Sequence, residues 1–255
     1  MDGAGSLGCE MDDIDKEAIE REAIMLRNQV WRSREQFVPI EPRGPLQRFE
    51  PDEATTTGYK VRLIHPSNAA RFLGFVYLEV ASLGKFSDAI VAGKIDRNAR
   101  TILISQQVSR EQQLFTGAHE LGHAVLHRGL HLHRDRPISE PSAGDARRRR
   151  PQVEREADFF GACYIMPNNL VEREFVARFG SNKLRLNDSV AWALDHNDPD
   201  RLLQPHGWLD VEKAVSRVAN YNGTGLPPLH HVFNVSVTAM AMRLQELKLI
   251  EPYAA

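Results

Sequence analysis

The chain has 255 residues, of which 42% are apolar and 26% charged, with a formal net charge of -2. These are the proportions of a globular protein with a real core, and they exclude a general electrostatic pull toward nucleic acid, so any such contact would have to be local. Two cysteines, Cys9 and Cys163, do not make a disulfide framework and read as reduced thiols of a cytoplasmic protein.

Residues 1–11 are rich in Gly and have no basic start, apolar signal core or small-residue cleavage pattern. No run approaches the roughly 18 apolar residues of a membrane span, so no membrane partner is expected. Between Asp13 and Gln36, Ile19, Ala23, Leu26 and Val30 recur at helical spacing among charged residues. This predicts an amphipathic helix that packs on the rest of the molecule or binds a partner. Residues 39–51 are Pro-rich and predict an extended linker. Residues 61–64, 73–80, 88–95 and 101–105 read as strands, with residues 96–100 as a hairpin turn. The stretch 101–105 is the candidate for an exposed strand that binds an extended peptide, although Ile102, Leu103 and Ile104 suit an interior strand nearly as well.

A helix should start at a capping box formed by Ser109 and Gln112, with Leu114, Phe115, Ala118, Leu121, Val125 and Leu126 along its buried stripe. It carries His119-Glu120-Leu121-Gly122-His123. Residues four apart share a helix face, so His119 and His123 can present two imidazoles to one metal ion, and Glu120 can take a proton from an attacking water. Gly122 costs about 1 kcal/mol relative to Ala inside a helix, which predicts close approach of a substrate backbone or a neighbouring strand.

Residues 128–152 then form a long loop with His131, His133 and the run Arg147 to Arg150. The arginines read as a solvated charge run, or as a contact for an acidic protein patch or a phosphate backbone. His131 and His133 fit no third-histidine spacing, and a gating role or second metal is the remaining use for them. A catalytic zinc has three protein ligands and an open position, so a third ligand is required. Glu154 is the candidate. Asp158, four residues on, shares its face and can accept a hydrogen bond from a ligand histidine. Glu156 points about 200 degrees away and reads as a solvated or helix-dipole carboxylate.

Beyond Pro167, helices are expected at residues 169–179, 188–195, 210–221 and 236–249. In the last of them Ser236 is the N-cap, and Val237, Met240, Ala241, Leu244 and Leu247 form an apolar face. Phe233-Asn234-Val235 resembles the entry to a helix-turn-helix, but Thr238, Arg243, Gln245, Glu246 and Lys248, read as exposed, carry a weak positive balance. Packing on the preceding domain, or docking a protein substrate, is favoured over DNA binding.

Three segments together, residues 115–127, 154–167 and 233–250, resemble the ImmA/IrrE family of metallo-endopeptidases. The likeness runs from about Ala92 to Ile250. It implies an intracellular zinc protease that cuts a helix-turn-helix repressor and so releases a transcriptional programme. Carried over by residue, the metal ligands are His119, His123 and Glu154, with Glu120 catalytic. The chain departs from the family in its long insertion before Glu154, in Asp158 where Asn is frequent, and in showing no counterpart of the C-terminal sensor domain of longer members. The expected architecture is α+β: a gluzincin-like metallopeptidase core, in which a small sheet packs on the metal helix, followed by a helical, helix-turn-helix-like module. The expected division is 1–58 for tail, helix and linker, 59–180 for the metallopeptidase and 181–255 for the helical module. Zn2+ is the expected cofactor, with Mn2+ as the other candidate. The alternative reading is a regulatory protein that binds a repressor or DNA without cutting. Tyr164, Arg155, His230 and His231 are chemically able to stabilise an oxyanion.

Overall fold

Asp15 caps the first helix by accepting a hydrogen bond from the Ala18 amide, and α1 then runs Lys16–Arg32. Its buried residues are Ile19, Ala23, Leu26 and Val30, the four positions picked out by their period. The computed structural model describes residues 14–33, 61, 63–86, 89–127, 129, 132–135, 150–204, 207 and 209–251. Residues 1–11, the Pro-rich stretch 39–51, His131, the His133 side chain and residues 147–149 lie outside that description.

The first expected strand is not one. Residues 61 and 63 are helical, and α2 follows at Pro66–Phe72. Capping overrides the apolar run: Pro66 enters the first turn with φ already set, His65 Nδ1 accepts from the Ser67 amide, and Asn68 Nδ2 donates to the Leu63 carbonyl at 2.9 Å. The next strand is shortened to β1, Val76–Val80, because Leu73 still caps α2 and Gly74 turns the chain with φ 75. The strand expected at 88–95 is split into β3, Ala89–Ile90, paired with β2, Lys85–Phe86, and β4, Gly93–Asp96. A hairpin turn joins β4 to β5, Thr101–Ser105, with Asp96 Oδ1 accepting from the Ala99 amide.

With β6, Leu132–Asp135, these strands form a sheet in the order β1-β5-β4-β6. β5 runs parallel to β1 and antiparallel to β4, and β4 is antiparallel to β6. β5 is therefore interior, hydrogen-bonded on both sides, and cannot offer an edge to a peptide as the first reading of that stretch supposed. Ile102 and Ile104 are fully buried in the core.

Against this sheet lies α3, Arg110–Leu126, begun by the Ser109 and Gln112 capping box. Its other end is held from the β4 to β5 turn. Arg97 Nη2 donates to the carbonyls of Ala124 at 2.8 Å and His127 at 3.1 Å, and also to that of His123. A cation at a helix C-terminus satisfies orphan carbonyls and opposes the helix dipole. Arg97→Met is therefore expected to cost about 1–3 kcal/mol, read as a lower midpoint in urea with an unchanged slope.

The next helix, α4 at Gln152–Ile165, packs along α3 and, on another side, along α1. Arg27 Nη1 on α1 donates to the Cys163 carbonyl at 2.6 Å. Burial pushes the Cys163 thiol up to about 11, which leaves it protonated at neutral pH. The helices beyond are α5 (Asn168–Phe179, ended by Gly180 at φ 68), α6 (Asp188–Leu194), α7 (Asp200–Leu203), α8 (Asp210–Arg217), α9 (Leu229–Val232) and α10 (Val237–Glu246). A parallel pairing of β7, Leu184–Arg185, with β8, Ile250–Glu251, joins the start of this region to its end. Arg243, read as exposed in the sequence, is 2% exposed. Its Nε donates to the Met166 carbonyl at 3.1 Å, and it also bonds Asn168, so α10 docks on the junction of α4 and α5. The architecture is α+β, and among the described residues no helix is long and apolar enough to cross a membrane.

Candidate metal centre

Small residues let α3 and α4 approach closely enough to share a site. A Cβ on Gly122 would lie 2.9 Å from Ala157 Cα and 3.1 Å from Ala157 O. On the opposite helix, a Cβ on Gly161 would lie 3.2 Å from the His119 amide nitrogen. The element that requires Gly122 is thus a neighbouring helix, where a strand or a substrate backbone was expected. The two glycines interlock the turns of both helices that carry His119, His123 and Glu154.

Across that interface stand His119, His123 and Glu154. The two Nε2 atoms are 3.0 Å apart; Glu154 places Oε2 at 3.5 Å from His119 Nε2 and Oε1 at 3.6 Å from His123 Nε2. A tetrahedral ion with bonds of about 2.0–2.1 Å holds its ligand atoms roughly 3.3 Å apart, so this donor set has the spacing such an ion needs. The opposite ring nitrogens are occupied: His119 Nδ1 lies 2.9 Å from Asp158 Oδ1, and His123 Nδ1 lies 2.9 Å from His127 Nδ1. If each Nδ1 carries a proton, two nitrogen lone pairs and a carboxylate converge on one point. A cation relieves that repulsion. Within the described residues this is the group that can hold a metal ion.

Glu120, the chain neighbour of His119, is fully buried and faces β4. A Cβ on Gly93 would come within 2.9 Å of Glu120 Oε1 and 2.4 Å of Thr116 Cγ2, so the absence of a side chain at Gly93 makes room for the carboxylate. His119, His123, Glu154 and Asp158 are buried as well. Charge is balanced at the rim by Arg150, whose guanidinium reaches Glu154 Oε2 and Asp158 Oδ2 at 3.1 Å each. Arg150 therefore leaves the solvated run in which its sequence context placed it.

Other residues singled out in the sequence fall elsewhere. Tyr164 is fully buried and stacks on Phe160, and burial raises the pKa of its hydroxyl. His230 bonds the Ser216 carbonyl at 2.9 Å through Nδ1, and burial lowers its pKa. Glu156 is no solvated carboxylate: Oε2 lies 2.8 Å from His127 Nε2, and Oε1 accepts from Gln152 Nε2 at 2.7 Å. His127 and Glu156 were missed, yet one signal was available. His127 follows His123 by four residues, as His123 follows His119, which places it on the same face one turn further along.

Two imidazoles and a carboxylate from two packed helices, with a buried glutamate beside them, define a metallopeptidase-like site. Residues 80–188 match the family model Peptidase_M78, described as the IrrE N-terminal-like domain. That span carries His119, Glu120, His123, Glu154 and Asp158, and it is the part of the chain that is similar to the ImmA/IrrE family; residues 233–250 lie beyond it. Among curated proteins, none matches the chain.

Assigning Glu154 to the metal has a direct check. Glu154→Gln is expected to weaken zinc binding more than the roughly 10–100-fold typical of an outer partner. Competition with a chromophoric chelator measures it, and a loss no larger than that of Glu156→Gln would remove Glu154 from the ligand set.

Proposed function

We propose that this protein is a zinc-dependent endopeptidase whose substrate is a helix-turn-helix transcriptional repressor, acting in the cytoplasm to control gene expression. The observation that carries the reading is the convergence of the His119, His123 and Glu154 donors, with the buried Glu120 next to His119 on the same helix. The family match supports the peptidase class. A divalent ion held by those three residues, Zn2+ or in its place Mn2+, would polarise a peptide carbonyl and lower the pKa of water at the site. Glu120 takes the proton from the attacking water and passes it to the leaving amine. Asp158 holds His119 in the tautomer that leaves Nε2 bare for the ion, and burial keeps bulk water from competing with these charges.

With this reading go a gluzincin-like core at 59–180, preceded by 1–58, and a helix-turn-helix-like module at 181–255. Substrate docking, and not DNA, is assigned to the C-terminal helices, because Arg243 is spent inside the protein. The test is incubation of the zinc-loaded full chain with a helix-turn-helix repressor encoded beside it, followed by mass spectrometry of the products. A single defined cut supports the proposal. Stable binding of an intact repressor would favour the alternative, a regulatory protein that binds without cutting.

A further inference from the structure

We propose that His127 and Glu156 are positioning residues that orient His123, in the way that Asp158 orients His119; the inference rests on the metal-site reading above. The two ligand histidines have different supports. His119 Nδ1 meets a carboxylate directly, Asp158 Oδ1 at 2.9 Å. His123 Nδ1 meets another imidazole, His127 Nδ1, also at 2.9 Å.

Hydrogen-bond chemistry then assigns a single role to every atom in the chain. A neutral histidine that binds a metal through Nε2 carries its proton on Nδ1 and must donate it. His127 Nδ1 is therefore the acceptor, which puts the His127 proton on Nε2. That nitrogen lies 2.8 Å from Glu156 Oε2, so it donates to the carboxylate. Gln152 Nε2 donates to the other oxygen, Oε1, at 2.7 Å and holds Glu156 in place. The sequence of donors runs from His123 to His127 to Glu156 with no conflict at any link.

The surroundings suit this use. The His127 side chain is 8% exposed and that of Glu156 is 20% exposed, so water competes little for the inner bond. His127 is the C-cap of α3, with its amide on the His123 carbonyl, and Arg97 bonds its own carbonyl. The backbone under the relay is thereby fixed from both sides. Glu156 comes from α4, so the relay ties the second ligand to the helix that supplies Glu154.

The test compares zinc affinities of the full chain by chelator competition, with thermal melting of the metal-free proteins beside it. His127→Leu fills the space without an acceptor and is expected to bind zinc about 10–100-fold more weakly. His127→Asn can place a carbonyl oxygen near the position of Nδ1 and is expected to return to within about threefold of wild type, a rescue that packing alone would not produce. Glu156→Leu, whose change lies at the far end, is expected to weaken binding by about tenfold and serves should His127→Leu fail to fold. Equal affinity in the leucine variants and wild type overturns the relay while leaving the metal site standing. An Asn variant as weak as the Leu variant also overturns it. Failure of the wild type to take up zinc overturns both readings.

Discussion

Glu120→Gln should bind zinc as tightly as the wild type and lose peptide hydrolysis by about 10²–10⁴-fold, the usual contribution of a positioned general base. Glutamine has the shape of glutamate, and Gly93 leaves room for a side chain of that size. What changes is chemical: an amide cannot take a proton from water. Glu120 lies outside the His119, His123 and Glu154 donor set, so metal content should not follow activity. Zinc per chain and cleavage of the proposed repressor substrate, measured on the same preparations, separate the two quantities. A variant that still cuts at the wild-type rate would remove Glu120 from the chemistry.

Gly122→Val should lower both stability and metal affinity. The first added carbon would already lie 2.9 Å from Ala157 Cα, a backbone atom that can move only if α4 moves. Overpacking of this kind costs typically about 1–3 kcal/mol, and helix propensity returns little of it. Because Glu154 rides on α4 one turn before Ala157 and Asp158 follows directly, pushing the helices apart also draws the carboxylates from His119 and His123. Urea unfolding and zinc competition should therefore both shift. Gly129→Ala is the control: a Cβ there meets nothing within 4 Å, and its stability should stay within about 0.5 kcal/mol of wild type. Equal behaviour of the two variants would mean that the helix contact does not hold the site together.

Much of this architecture was legible where the physics is local. The capping box at Ser109, the apolar period of Ile19, Ala23, Leu26 and Val30, and the i, i+4 spacing of His119 and His123 each act within one helix, so neighbouring residues state them completely. Strands were harder. Residues 61–64 read as a strand from their apolar content, but a helix cap formed by His65, Pro66 and Asn68 prevailed, and the stretch 88–95 broke in two. Short apolar runs do not distinguish a strand from a buried helical turn. Exposure of Arg243 was misread for a related reason, since its partners at Met166 and Asn168 are more than 70 residues away.

The sequence by itself determined the i, i+4 histidine pair on α3, the neighbouring glutamate and the helical elements that carry them, because each depends on the pitch of a single helix. Tertiary structure alone decided that β5 is interior, that Gly122 answers to Ala157, that Arg150 turns inward to two carboxylates, and that Glu156 meets His127. Those outcomes depend on the distance and register between separate elements, which are set by side-chain volume and buried hydrogen bonding across the whole fold. No local period encodes them.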